Sequence, residues 1–320
     1  MFPNRIIVAL AVFAGAAAHG EALRSSDIYP ADYPTVQAVA YMDKLVRERT
    51  GGRHSIERLG QRDGDSENYT IAELQNGTLD MARVNLAVLA RLVASASIPL
   101  LPYVFKSTAH ARRVLDGPIG DEILFGLESH DLVGLVFYDM GARSFGATRP
   151  IRHVSDMEGL KVRVQQSDTW ATMLRAMAAE PVTVPLIRTH GALRTGVVDA
   201  ADGTLPAFVV SRHHEVARFY SLTEHVMALG VVVFSKRTWD KLTPDDQRII
   251  RAAAKESVPY MRKVWDEREI QARLTAEAAG TQIIIDVDQK SFAEALAPFH
   301  AELLTDPKLQ DLVKRIQATD

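Results

Sequence analysis

Gly159-Leu160-Lys161-Val162-Arg163-Val164-Gln165-Gln166-Ser167-Asp168 is a short alternating run that delivers one arginine to the end of a predicted strand. Leu160, Val162 and Val164 would bury one face of that strand, which sends Lys161, Arg163 and Gln165 to the other. Open α/β sheets bind their ligands at the carboxyl ends of strands, so Arg163 is placed to meet one. Its planar fork can grip both oxygens of a carboxylate, which a lysine cannot reproduce. The plainer alternative is an arginine paired with a nearby aspartate, and most of the 27 arginines in the chain must be solvent-facing helix residues.

Working outward, this strand opens a series that occurs twice. The first copy runs as a strand over 23–28, a turn at 30–34, a helix over 35–49 stopped by Gly51-Gly52, and a strand over 55–59. A polar loop at 60–66, a helix over 67–75, Gly77 as its cap and a strand over 79–84 complete it. The second copy has a strand at 160–164, helices at 169–179 and 187–195, Gly196, and a strand at 197–201. Leu74-Gln75-Asn76-Gly77-Thr78-Leu79-Asp80 returns 119 positions later as Leu193-Arg194-Thr195-Gly196-Val197-Val198-Asp199. Both read Leu-x-x-Gly-x-x-Asp, in which glycine ends a helix in the left-handed conformation before the next strand. The chain is therefore read as two similar α/β lobes.

Two apolar runs, 132–139 and 226–234, lie between lobe-like segments and are candidates for strands that cross from one lobe to the other. Thr243 is a good N-cap, with Pro244 at the first helical position, Asp245 and Asp246 at the positive end and Gly280 at the stop. A helix over 244–279 would be roughly 54 Å long, enough to run along both lobes. Pro259 in its interior predicts a kink. A short strand at 281–287 and two helices finish the chain. On this plan 23–138 with 227–258 makes the first lobe, and 139–226 with 259–320 the second.

Composition bounds the function. The chain has 320 residues, 47% hydrophobic and 24% charged, a globular balance with room for two domains. A net charge of −3 gives no footprint for nucleic acid. Residues 1–22 read as an export signal, with Arg5 before a 13-residue apolar stretch from Ile6 to Ala18 and small residues at Ala16-Ala17-Ala18. That stretch is too short to span a bilayer comfortably, and no later one is long enough, so the mature chain is expected to be exported and not itself membrane-spanning. The absence of cysteine excludes disulfides and thiolate chemistry.

Enzyme signatures are missing: no dinucleotide or phosphate-loop glycine pattern, no nucleophile elbow and no zinc-protease helix occurs. His213-His214 with Glu215 is a weak metal candidate, since adjacent helical side chains point about 100° apart, and surface or capping histidines are the expectation. No metal and no cofactor is expected. Gly60-Gln61-Arg62-Asp63-Gly64 reads as a solvated loop at the cleft edge.

These elements, with Asp32-Tyr33-Pro34-Thr35-Val36, Gly141-Ala142-Arg143-Ser144-Phe145, Arg163-Val164-Gln165-Gln166-Ser167-Asp168 and Ser257-Val258-Pro259-Tyr260-Met261-Arg262-Lys263, resemble the substrate-binding proteins of tripartite ATP-independent periplasmic (TRAP) transporters, the DctP family, and its uronate-binding branch. The resemblance covers nearly the whole mature chain. It implies a two-lobe periplasmic binding protein fold, closing over an organic acid that is handed to a sodium-driven membrane permease, with no chemistry performed. It implies that Arg163 pairs with the ligand carboxylate and that Arg143 assists. Asp27, Tyr29, Arg83, Asn85 and Asp65 match the first-lobe wall, and Gln165, Asp202 and Thr204 the second.

The sequence departs from the family at Asp202-Gly203-Thr204-Leu205-Pro206, where relatives carry Glu-Asn and uronate binders often have tryptophan at the place of Leu205. Gly203 cannot supply the amide that helps hold the carboxylate, and Asp202 is an acceptor-only charge. Tyr29 stands where uronate-branch relatives often have histidine. The expectation is a receptor for a small carboxylate, possibly a hexuronate. The alternatives are a ligand-binding partner of a sensor, or a secreted sugar-acid lyase or isomerase using Asp202 or His213 as base.

Overall fold

Gly77 and Gly196 both take the left-handed conformation, with φ of 80° and 72°, and the aspartates three residues on do the same work in each copy. Asp80 accepts the backbone N–H of Arg24 at 2.8 Å, and Asp199 accepts that of Lys161 at 3.0 Å, so each carboxylate ties down its lobe's first strand. The computed structural model describes residues 21–60, 66–164 and 168–320. Residues 1–20 of the signal-like segment 1–22, Asp65 and Gln165 lie outside the described residues, while Glu21 and Ala22 fall in the first strand.

The strands are β1 Glu21–Ser26, β2 His54–Arg58, β3 Met81–Asn85, β4 Leu132–Ala147, β5 Lys161–Val164, β6 Glu180–Thr183, β7 Ala200–Gly203, β8 Phe219–Ser235 and β9 Gln282–Ile284. They join one sheet in the order β2-β1-β3-β8-β4-β7-β5-β6, with β9 beside β8. The order reads the same way from both ends. β1 pairs in parallel with β2 and β3, and β5 in parallel with β6 and β7, while β3 and β7 each meet a long strand antiparallel. The repeated series predicts the two lobes, and together they make the two-lobe periplasmic binding protein fold that the resemblance implies.

β4 and β8 are the crossing strands, longer than the apolar runs that announced them. Their pairing slips between Asp139 and Ala142 and again between Arg143 and Phe145, which bends the ribbon where one lobe gives way to the other. Gly141 lies in the slip between Asp139 and Ala142 with φ of 72°, and a Cβ there would come within 3.0 Å of Trp265 Nε1.

The long helix, Pro244–Ala278, starts with the Thr243 side chain accepting from the backbone of Asp246 and continues through Pro259. Its face Ile250, Ala253, Ala254, Val258, Met261 and Trp265 packs into the first-lobe core with Val36, Val39 and Met42 of the helix Pro34–Arg49. Ala272 and Ala276 pack into the second with Leu205, Phe208 and Tyr220. One helix thus serves both lobes. The last helix, Pro307–Ala318, puts Leu312 and Ile316 among Ala96, Ile98 and Leu115 of the first lobe, where chain order alone had assigned 259–320 to the second.

The strand β6 is not foreseen by the sequence reading, because Glu180-Pro181 looks like a helix end and not a strand. It is an edge strand, the place where a proline's missing donor faces no partner.

Candidate functional site

The carboxyl ends of β1, β3, β5 and β7 converge on the space between the lobes. Asp27 and Tyr29 follow β1, Asn85 ends β3, Arg163 is the third residue of β5, and Asp202 lies in β7 with Thr204 just past it. Register puts the second-lobe residues side by side. Arg163 stands opposite Ala201, and Asp202 stands opposite Phe145, two residues after Arg143.

Arg163 is 7% exposed, and its Nε donates to the carbonyl of Val184 at 2.9 Å. Among the described residues it has no carboxylate at ion-pair distance. Burial lowers its pKa, Asp202 opposes that, and the like charge of Arg143 adds to it. Among the described residues this is a buried cation lacking a counter-ion, the state that a bound anion relieves.

Arg143 is arranged differently. Its Nε donates to Asp202 Oδ2 at 2.6 Å, and its guanidinium lies 5.4 Å from the ring centre of Trp170. Burial alone would raise the Asp202 carboxyl, but Arg143 and then His225 hold it well below the usual carboxylate range. His225 is fully buried, stacked on Phe145 at 4.5 Å, with Nδ1 against Thr223 Oγ1 at 2.9 Å. Its Nε2 is 3.7 Å from Asp202 Oδ2, beyond a normal hydrogen bond.

On the opposite wall the Arg83 side chain is wholly enclosed. Nη2 and Nε donate to the two oxygens of Asp27 at 2.5 and 3.1 Å, and Nη1 reaches Asn85 at 3.2 Å and Glu67 at 3.4 Å. Burial would lower its pKa, and Asp27 and Glu67 more than offset this. Tyr29 lies under Arg83 at 4.8 Å and stacks on Tyr33 at 3.7 Å. Asp27, Tyr29, Arg83 and Asn85 are therefore brought together as expected, but Arg83 has every donor group engaged within its own lobe.

Thr204 is buried at the start of the helix Leu205–Val210 without capping it, and Tyr220 donates to the carbonyl of Gly203 at 2.8 Å. A cavity of about 560 Å³ opens beside Trp170, between Val88 and Leu100 of the first lobe and Met173 and Phe299 of the second.

Glu67, Trp170 and His225 were missed by the sequence reading. Glu67 offered one signal, an acid opening a helix just after a cleft-edge loop; Trp170 and His225 offered none. His213 and His214, expected on the surface or as caps, are 7% and 9% exposed in a short turn and pack edge-on against Phe208. The Phe208 ring draws them inward. Burial, then Arg163, brings the His213 pKa down to about 4. No group of described residues could hold a metal ion.

Residues 25–306 match the model of bacterial extracellular solute-binding protein, family 7, DctP. The chain belongs to that family. DctP proteins are extracytoplasmic receptors that bind small acids and work with membrane permeases, and they are not enzymes. Asp202 and His213 accordingly have no call to act as bases, and their lowered pKa values suit neither to that role.

Among solved structures, a TRAP solute-binding protein from Bradyrhizobium sp. BTAi1 in complex with galacturonate is 46% identical, with a TM-score of 0.86 over 93% of this chain and 100% of that one. One from Xanthobacter autotrophicus Py2 with bound β-D-galacturonate is 44% identical, with a TM-score of 0.85 over 93% and 99%. The 2,3-diketo-L-gulonate-binding periplasmic protein YiaO of Escherichia coli K12 is 27% identical over 97% of this chain and 95% of its own. No described helix of this DctP protein is long and apolar enough to cross a membrane.

Proposed function

We propose that this protein is the receptor subunit of a TRAP transporter for a hexuronate. Export is directed by residues 1–22, and the bound acid passes to a sodium-coupled permease in the membrane. The observation that carries the reading is Arg163, a buried guanidinium at a strand end with no carboxylate partner among the described residues. The ligand carboxylate takes that place, with Arg143 in support, while the sugar hydroxyls meet the polar wall of Asp27, Tyr29, Glu67 and Asn85. The galacturonate carried by two relatives at 46% and 44% identity supports this ligand class over a keto acid or a small dicarboxylate.

Closure of the lobes about the slipped ribbon at Asp139–Phe145 would exclude water and present a shape that a permease can recognise. A thermal-shift screen of hexuronates, aldonates, C4-dicarboxylates and keto acids tests the assignment. A ligand at 100 times its Kd stabilises the folded protein by about 2.7 kcal/mol, so a hexuronate is expected to raise Tm clearly. No shift with any hexuronate, beside a shift with another class, overturns it.

A further inference from the structure

The three cleft arginines are unequally compensated, and the inequality gives the two walls opposite charge. On the first-lobe wall one cation, Arg83, is held by two anions, Asp27 and Glu67. On the second-lobe wall two cations, Arg143 and Arg163, share one anion, Asp202. The neighbouring histidines do not change the balance at neutral pH, since burial lowers the pKa of both His213 and His225. Among the described residues, then, the second-lobe wall has an excess of one positive charge and the first-lobe wall an excess of one negative charge.

The hydrogen bonds at the first-lobe wall sharpen the asymmetry. Arg83 has Nε and Nη2 on Asp27 and Nη1 on Glu67 and Asn85. The Asn85 amide and its backbone N–H both go to Glu67, at 2.6 and 2.8 Å. The donors are committed. Asp27 is filled as well, since it accepts the Tyr29 backbone N–H at 3.0 Å and the Thr35 hydroxyl at 2.7 Å besides Arg83, so among the described residues the acceptor with room to spare is Glu67 Oε2, which receives Asn85 alone. A hydroxyl arriving here can donate to Glu67; a carboxylate can only accept, and it would meet an excess of its own sign.

We propose, building on the hexuronate-receptor reading, that the cleft is a charge dipole that admits a ligand with a single carboxylate, acid end on Arg163, and that Glu67 turns away a second carboxylate at the far end. The substrate class is thereby narrowed to polyhydroxy monoacids, with the corresponding diacids excluded.

Calorimetric titration of the wild-type protein with D-galacturonate, with galactarate and with galactarate monomethyl ester tests this. Galactarate is expected to bind about a hundredfold more weakly than galacturonate, roughly 2.7 kcal/mol. The monoester, as bulky as the diacid but uncharged at its far end, is expected to recover most of that loss. Glu67→Gln, checked for native circular dichroism, is expected to shrink the diacid deficit by about tenfold. Equal binding of galacturonate and galactarate by the wild type overturns the filter and leaves the receptor reading standing. So does a monoester as weak as the diacid, or an unchanged deficit in folded Glu67→Gln. Binding of no hexuronate at all overturns the hexuronate reading, and the filter with it.

Discussion

Arg143 donates to Asp202 at 2.6 Å, and this contact decides how the two cleft arginines divide their work. Asp202 is followed by Gly203, so the carboxylate has no neutral side-chain amide next to it in the chain. Arg143 is neutralised before any ligand arrives, and Arg163 is left as the one that gains most from an anion.

Arg163→Ala is therefore expected to abolish binding in calorimetry. Loss of the charge partner of a desolvated carboxylate costs about 2–5 kcal/mol, a drop of 30-fold or more in affinity. Arg163→Lys should rescue little, because a point charge cannot reproduce the fork or its hold on the Val184 carbonyl. A variant that binds as well as the wild type would remove Arg163 from the site.

Asp202→Asn should act in the opposite sense on ligand and fold. Removing the anion strands the Arg143 guanidinium, which should lower the stability of the unliganded protein by roughly 1–3 kcal/mol. A hexuronate should then raise Tm by more than it does in the wild type, since it now relieves two cations. The acid limb should also change. The folded Asp202 pKa is depressed, so its stabilisation is fully present above the unfolded value of about 4 and fades as pH falls below that. Urea denaturation at stepped pH should show this fading in the wild type and not in the variant.

His213 reports on Arg163 independently of ligand. Its pKa of about 4 is set by burial first and Arg163 second, so Arg163→Ala should raise it part of the way towards the free value of about 6.5. An NMR titration of the imidazole signals measures this directly. The sign for stability follows: between about pH 4 and 6.5 the unfolded chain binds more protons at this residue, so stability climbs with pH there. His213→Gln should flatten that slope.

The lobes were legible in the sequence because they rest on local rules. A glycine that ends a helix in the left-handed region, an aspartate three residues later and alternating apolar residues are all readable within ten positions. Arg163 was legible for the same reason, as the odd residue of an alternating strand. What could not be read was the pairing of charges. Arg83 is separated from Asp27 by 56 residues and Arg143 from Asp202 by 59, so whether each arginine is free or committed depends on β1 lying beside β3 and β7 beside β4. The inward turn of His213 and His214 likewise depends on Phe208, and the edge strand at Glu180–Thr183 on having a neighbour at β5.

Asp139 is the strongest candidate for a residue that holds the hinge together. Its side chain is 1% exposed and receives Arg112 Nε at 2.7 Å and Arg262 Nε at 2.5 Å, while Arg262 also grips Asp116 through both terminal nitrogens at 2.7 and 2.9 Å. One buried carboxylate thus ties the long helix to the crossing strand at a residue where the β4–β8 pairing slips. Asp139→Ala leaves two partly buried guanidinium groups competing for Asp116 and Asp266, and removing one partner of a buried charge network costs about 3–5 kcal/mol. Urea titration should show that loss as a lower midpoint. Ligand affinity should fall as well, although Asp139 is not among the residues placed at the cleft walls, because the helix that couples the lobes is no longer anchored where the strand bends. Full stability in Asp139→Ala would mean that the arginines find equivalent partners in Asp116 and Asp266, and that the bend is held by the Gly141–Trp265 packing alone.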